Sequence, residues 1–258
     1  MLADLMAGAK EDALGRLAGR PAAVVEAAAV DAPPAIDALA ALAPADQVKI
    51  IAEVKRSSPS RGALADIPDP ALLASLYEQG GASAVSVLTE GRKFGGSLRD
   101  LEAVRAAIRI PVLRKDFISL PYQVFEARAS GADLVLLIVA GLDQATLSSL
   151  HELVVQLGMT PLVETHSAEE LARASDIGAR LIGVNARNLS TFELDQHLFG
   201  SLTDRFPADA VKVAESAVLR AADVAAYRRD GADVVLVGEA LVTGDPVATL
   251  EQFLGATA

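Results

Sequence analysis

The chain has 258 residues, 52% of them hydrophobic, and a formal net charge of −11. That apolar content can fill the core of one large α/β domain, while the acidic balance, with no basic run carrying interleaved aromatics, argues against a phosphodiester backbone as partner, so no nucleic acid is expected. The absence of cysteine excludes a disulfide framework, a cysteine zinc site and a thiolate nucleophile.

The first 47 residues are rich in Ala and Leu and are broken by Pro21, Pro33 and Pro34. They read as two or three short helices that cap or flank the rest of the chain. Asp4 and the cluster Lys10-Glu11-Asp12 interrupt any apolar segment that could serve as a secretory signal. The longest apolar stretch, Leu134 to Leu142, falls far short of the roughly 20 residues of a membrane helix. A cytoplasmic protein with no membrane partner is expected, organised as an N-terminal helical extension (1–47) and a body (48–258) within one structural domain.

Within that body the dipeptide Gly-Ala recurs at Gly81-Ala82, Gly131-Ala132, Gly178-Ala179 and Gly231-Ala232, a repeat of about 50 residues. Each Gly follows an amphipathic segment and suits the left-handed conformation that stops a helix. The runs that come next, Ala84 to Leu88, Leu134 to Val139, Leu181 to Val184 and Val234 to Val237, are β-rich. Four further strand-length runs are interleaved with them: Ile50 to Lys55, Pro111 to Lys115, Thr160 to Glu164 and Val211 to Glu215. Eight nearly continuous apolar strands alternating with helices predict parallel strands buried on both faces, and eight such units close into an α/β fold, the (β/α)8 TIM barrel. The open doubly wound alternative needs a Gly-rich phosphate turn after its first strand, where Glu53-Val54-Lys55-Arg56-Ser57-Ser58-Pro59 stands instead.

The four interleaved runs all end on an ionisable residue. A buried charge costs several kcal/mol unless something compensates it, so such an ending marks either a strand that reaches the surface or one that meets a ligand. Side chains alternate along a strand, which puts Glu53 with Lys55, Leu113 with Lys115 and Leu162 with Glu164 on shared faces. In a barrel those faces point inward at the carboxyl rim, where active sites assemble. Lys55, Lys115, Glu53, Glu164 and Glu215 are therefore expected to converge. Lysines in that setting act either as ammonium acids and anion partners or, with a pKa lowered by burial, as Schiff-base nucleophiles, while the glutamates accept protons. The loops Glu215-Ser216-Ala217 and Gly238-Glu239-Ala240 stand where such barrels often bind phosphate through backbone N–H groups, although Gly238 equally suits a plain strand end. His151, His166 and His197 lie apart without metal-ligand spacing and read as solvated or locally hydrogen-bonded, and no metal is expected.

Taken in order, EVKRSSPS at 53–60, LTEGRKFGGS at 88–97, PVLRKDFI at 111–118, LVE at 162–164, GVNARNL at 183–189, VAES at 213–216 and LVGEAL at 236–241 closely resemble the indole-3-glycerol-phosphate synthase family of tryptophan biosynthesis. The first and third motifs are the most specific, and the leading 47 residues match only loosely. The resemblance implies a carboxy-lyase that needs no cofactor. Its phosphorylated small-molecule substrate, carboxyphenylamino-deoxyribulose phosphate, would be cyclised, decarboxylated and dehydrated to indole glycerol phosphate. By the same resemblance Lys115 is the acid at the ribulose carbonyl oxygen, Lys55 holds the substrate carboxylate, Glu164 is the general base, and Glu53 supports proton transfer near Lys55. Asn185 would hydrogen-bond a sugar hydroxyl or position a catalytic group, Arg187 would brace the glutamates, and Glu215 would engage substrate hydroxyls. Ser58, Ser216, Gly238 and Glu239 map to the phosphate end, with the Glu239 carboxylate turned outward. Phe94, Phe117, Leu136, Ile138 and Leu236 match the apolar pocket for the anthranilate ring, at positions that pattern alone would assign to core.

One residue departs from the family pattern, which after the seventh strand is Glu-Ser-Gly; this chain has Ala217 in place of that Gly. If the loop requires a positive φ there, Ala costs on the order of 1 kcal/mol and weakens phosphate binding while the strand-end chemistry is retained. No oligomer is needed to complete the site. Two other readings stay open because one barrel hosts many chemistries: another phosphosugar lyase or Schiff-base aldolase with Lys115 as nucleophile, and a non-catalytic barrel that binds a phosphorylated ligand or a partner subunit.

Overall fold

The computed structural model describes residues 1–59, 61–188, 191 and 193–256, so Ser60 and Leu189, which end two of the motifs, lie outside the described residues. Eight parallel strands close a barrel: β1 (Lys49–Val54), β2 (Ala84–Leu88), β3 (Val112–Lys115), β4 (Leu134–Ile138), β5 (Thr160–Thr165), β6 (Leu181–Asn185), β7 (Val211–Glu215) and β8 (Val234–Val237). Each strand pairs with its sequence neighbours, and β1 pairs with β8 to complete the ring. The expected (β/α)8 barrel is borne out. Gly81, Gly131, Gly178 and Gly231 all take positive φ, as the repeated helix stops require.

Strand alternation divides the apolar residues into two cores. Ile50, Ala52, Val85, Leu137, Val163 and Val235 face outward against the helix ring, including Tyr77, Leu101, Leu150 and Phe199. Ile51, Leu113, Leu134, Leu162, Val213 and Leu236 fill the barrel interior. The side chains next in line on the inward faces are the charged ones, and the apolar layers beneath them act as a floor.

The extension forms three helices, α1 (Leu2–Gly19), α2 (Ala22–Asp31) and α3 (Ala38–Ala41). At 18 residues α1 is longer than the short helices expected. Its mid-helix glycines, Gly8 and Gly15, are offset by tertiary anchoring: Leu2, Leu5 and Ala9 join the interior apolar cluster, and Arg16 makes a bidentate pair with Glu126 at 2.6 and 2.8 Å. Glu126 lies in the helix Pro121–Ala129, which follows β3. It is also 3.4 Å from Arg114, which is fully buried on the outer face of β3 and further bonds Asp116, Thr89 and the Gln123 carbonyl. This chain of charges ties α1 to the segment that carries Lys115 and Phe117.

Replacing Arg114 with Leu leaves two buried carboxylates, Asp116 and Glu126, without their shared cation. The expected outcome is a loss of about 3–5 kcal/mol, measured as a lower urea midpoint at unchanged m-value.

Candidate active site

All the residues singled out in the sequence meet in one cavity at the carboxyl rim. Its wall includes Glu53, Lys55, Lys115, Glu164, Asn185 and Glu215, together with Ser58, Phe94, Phe117, Leu136, Ile138, Arg187, Ser216, Ala217, Leu236, Gly238 and Glu239. Register explains the convergence. Lys115 is level with Leu88, Glu164 with Ile138 and Gly183, and Glu215 with Asn185 and Leu236.

At the centre, the Lys115 ammonium lies 3.4 Å from Glu164 Oε2 and 3.6 Å from Glu215 Oε2. Burial would lower the lysine pKa, but Glu164, Glu215 and Glu53 override it and hold the group protonated well above its ordinary value. Burial would likewise raise Glu164, yet Lys115 and His166 together pull it far below the usual carboxylate range. Glu215 goes the other way. Burial, followed by the neighbouring Glu164 charge, pushes it up to about 8 against the pull of Lys115. Among the described residues neither Glu215 oxygen has a hydrogen-bond partner; protonation lets one of them donate to Glu164 and leaves the other free to accept. The two carboxylates thus divide one proton, because like charges this close do not both ionise.

A missing side chain makes this contact possible. β6 runs between β5 and β7, and a Cβ at Gly183 would stand 2.1 Å from Glu215 Oε1. Gly238 plays the same part on the other wall, where a Cβ would fall 2.6 Å from Glu53 Oε2 and 3.0 Å from Lys55 Nζ. Those two groups form a 2.6 Å ion pair. Burial raises the Glu53 pKa, but Lys55 and then Lys115 bring it below its ordinary value.

Phe94 and Phe117 form one end of the cavity, their ring centroids 6.0 Å apart at a 41° tilt. Phe94 is set by Glu90, whose carboxylate accepts from the backbone N–H groups of Arg92, Lys93 and Phe94. Arg92 then fastens this loop to α1 through Asp12 and Glu11, and Leu5 of α1 reaches the cavity wall. At the opposite end, Ser216 and Ala217 both have positive φ, 70° and 61°. The strained pair is held by a Ser216 hydroxyl bond to Asn185 Oδ1 at 2.7 Å and a Tyr227 hydroxyl bond to the Ser216 carbonyl at 3.3 Å. The condition attached to the departure at Ala217 is met: the loop does require left-handed backbone there. Asn185 Oδ1 also accepts from Arg187 N–H, so Asn185 knits two rim loops together. Glu239 begins a short helix, Glu239–Val242, and its carboxylate is turned to Arg61 at 2.9 Å.

Sequence reasoning passed over Gly183, Arg61, Leu5 and His166. The last was read as solvated or locally hydrogen-bonded; it is locally hydrogen-bonded, to Glu170, and its largely buried ring also faces Glu164. Its position two residues after Glu164 and the run Ser167-Ala168-Glu169-Glu170, a capping-box pattern, were the available signals.

A closed barrel with paired ammonium and carboxylate groups at its carboxyl rim, an aromatic wall and a left-handed loop opposite defines a (β/α)8 enzyme of acid–base type. Residues 4–253 match the profile of the family described as "Indole-3-glycerol phosphate synthase". Relatives carrying that name include one from Leifsonia xyli subsp. xyli, 69% identical over 99% of this chain and 98% of its own length. Another, from Beutenbergia cavernae, is 57% identical over 100% and 96%. The chain belongs to the indole-3-glycerol phosphate synthase family. The expected carboxy-lyase of tryptophan biosynthesis, acting on a phosphorylated small molecule, is borne out with it. Among solved structures, 3-hexulose-6-phosphate synthase from Salmonella typhimurium superposes with a TM-score of 0.66 at 16% identity, over 81% of this chain and 98% of its own. At that identity the likeness is one of fold alone.

Gly183→Ala should drive the Glu215 carboxylate away from Glu164. Because a misplacement of about 1 Å can cost on the order of 10²-fold in rate, kcat is expected to fall by that order while circular dichroism remains that of the folded barrel.

Proposed function

We propose that this cavity closes the indole ring of carboxyphenylamino-deoxyribulose phosphate, releasing carbon dioxide and water to leave indole glycerol phosphate. The observation that carries the reading is the placement of a charged lysine, an ionised glutamate and a protonated glutamate in one buried cluster beside an aromatic pair.

The anthranilate ring lies against Phe94, Phe117, Leu136, Ile138 and Leu236, with its carboxylate toward Lys55. Lys115 donates a proton to the ribulose carbonyl oxygen as the ring carbon attacks the carbonyl. Loss of carbon dioxide returns the bonding pair to the ring and restores its aromaticity. The new hydroxyl then leaves as water after taking a second proton, and Glu164 removes the proton whose loss completes the indole. Two protons are delivered and one is removed, so a substrate entering as carboxylate takes up one proton per turnover. Glu53, 2.6 Å from Lys55, steadies the ammonium and its proton traffic. Glu215, whose one proton goes to Glu164, accepts from substrate hydroxyls through its other oxygen, Asn185 with Arg187 sets the loops around them, and Ser58, Ser216, Ala217 and Gly238 offer hydroxyl and backbone donors to the phosphate. Glu239, neutralised by Arg61, presents no free charge against it.

The Schiff-base alternative requires a neutral amine, and the carboxylates around Lys115 favour the ammonium instead. No described helix is long and apolar enough to cross a membrane; with the acidic surface balance this supports a cytoplasmic enzyme, free of nucleic-acid and membrane partners. The extension shares the interior cluster, which supports one structural domain over residues 1–47 and 48–258 with no second copy needed at the site.

Purified protein mixed with the carboxyphenylamino substrate should develop indole absorbance. Lys115→Met and Glu164→Gln should each lower kcat by roughly 10² to 10⁴, and borohydride should trap no adduct on Lys115. A covalent adduct, or full activity in both variants, would overturn the assignment. Ala217→Gly relieves a left-handed penalty of about 1 kcal/mol, partly offset by the greater freedom of Gly in the unfolded chain. It should lower KM and raise Tm slightly, and an unchanged or higher KM would contradict a phosphate role for this loop.

A further inference from the structure

Glu164 faces a second cation that the mechanism above does not use. β5 carries Glu164 inward, turns Thr165 outward into a 2.8 Å hydrogen bond to the Gly183 carbonyl, and gives way to His166 just before Ser167, the N-cap of the helix Ala168–Asp176. Glu170, in the first turn of that helix, accepts from the His166 backbone N–H at 2.7 Å and faces the ring Nδ1 at 3.2 Å. The other ring nitrogen, Nε2, is 3.3 Å from Glu164 Oε1. Lys115 faces the opposite oxygen, Oε2, at 3.4 Å. The ring lies between two carboxylates, with Nδ1 hydrogen-bonded to Glu170 and Nε2 within ion-pair distance of Glu164 but without a hydrogen bond of its own, while its side chain is only 11% exposed and that of Glu164 is 1% exposed.

A neutral imidazole carries one N–H and one lone pair. Between two carboxylates it would turn the lone pair toward one of them, whereas the imidazolium offers each a proton. Burial lowers the His166 pKa, but Glu164 and Glu170 override it and raise the group to about 10. Lys115 alone cannot keep Glu164 ionised through a turnover. Once its proton has gone to the substrate, Lys115 is neutral, and burial then favours a protonated Glu164 that can no longer act as a base.

We propose that His166 is a positioning residue of the reaction: an imidazolium locked by Glu170 that holds Glu164 Oε1, keeping the carboxylate aimed into the cavity and ionised after Lys115 has given up its proton. The inference rests on Glu164 being the general base, as proposed above. The ionisable groups facing Glu164 are Lys115 from β3, Glu215 from β7, Glu53 from β1 and His166 itself, and those facing His166 are Glu164 and Glu170.

The test is the pH dependence of kcat and KM for His166→Ala, His166→Gln, Glu170→Gln and Glu164→Gln beside the parent enzyme. In His166→Ala the acid limb of kcat should move up by about one to three pH units, the shift a lost neighbouring cation produces. KM should stay within about twofold, as for an interaction absent from substrate binding. Glu170→Gln retains the backbone cap but drops the charge, so the same limb should move up by less. His166→Gln, a neutral donor, should fall between. The stability advantage of the parent over His166→Gln should be complete below pH 6.5 and disappear as pH rises through about 10. An unmoved acid limb in His166→Ala and Glu170→Gln, with only Tm altered, would overturn the inference and reduce His166 to a structural role. If His166→Ala does not fold, Glu170→Gln decides alone. An active Glu164→Gln would instead overturn the reading of Glu164, so the two failures are distinguishable.

Discussion

The structure depends on the mutual compensation of charges withdrawn from bulk water, fully for Glu53, Glu164 and Glu215 and in large part for Lys55 and Lys115. Lys115, Glu164, Glu215, Glu53 and Lys55 occupy a rim where isolated ions would be expelled or neutralised. Each keeps its place because another group delivers an opposite charge within 4 Å, or, for Glu215, because a proton replaces that charge. With Glu215 protonated and His166 charged, Lys55, Lys115 and His166 stand against the carboxylates of Glu53, Glu164 and Glu170, so the cluster is balanced. Lys55 and Lys115 still present ammonium groups to the cavity, which suits a substrate carrying both a carboxylate and a phosphate on a chain whose formal charge is −11.

Such compensation demands accurate placement, and the barrel provides it through strand register and through absent side chains. The apolar interior from Ile51 to Leu236 sets the depth of the charged layer. Gly183 and Gly238 open lateral gaps through which carboxylates on neighbouring strands reach their partners. Outside the ring, the path Arg16–Glu126–Arg114–Asp116 holds the loop after β3, and Arg92 with Asp12 and Glu11 holds the loop after β2. The N-terminal helix is therefore part of what fixes the aromatic wall, although its sequence carries no catalytic group.

The fold was legible because burial on both strand faces leaves an unbroken apolar signature, and because the Gly-Ala repeat marks each helix end with a residue that tolerates positive φ. The strand-end charges were legible for the converse reason, that a packing requirement alone would have selected apolar residues there. Pairings across strands were not. That Glu215 reaches Glu164 over Gly183 depends on three-dimensional register, and a glycine inside an apolar strand reads only as a weak point. His166 was passed over because its role requires two partners at once, one two residues back along β5 and one a helical turn ahead. The length of α1 was underestimated because intrinsic propensity penalises Gly8 and Gly15, whereas the helix is held by burial of Leu2, Leu5 and Ala9.

The same register that permits acid–base chemistry limits what else this barrel can do. A lysine becomes a carbonyl nucleophile when burial removes its proton, and burial acts on Lys115 in that direction. Its neighbours reverse the outcome. Glu164, ionised by His166 as well as by Lys115, sits on one side, and Glu215 on the other stores a proton instead of adding a second full charge. Glu53 adds its charge to theirs, and together these carboxylates keep Lys115 an ammonium, the state an acid needs, while the proton held between Glu164 and Glu215 spares the cluster a second full charge. Gly183, by letting those two carboxylates touch, is the structural feature on which that shared proton depends.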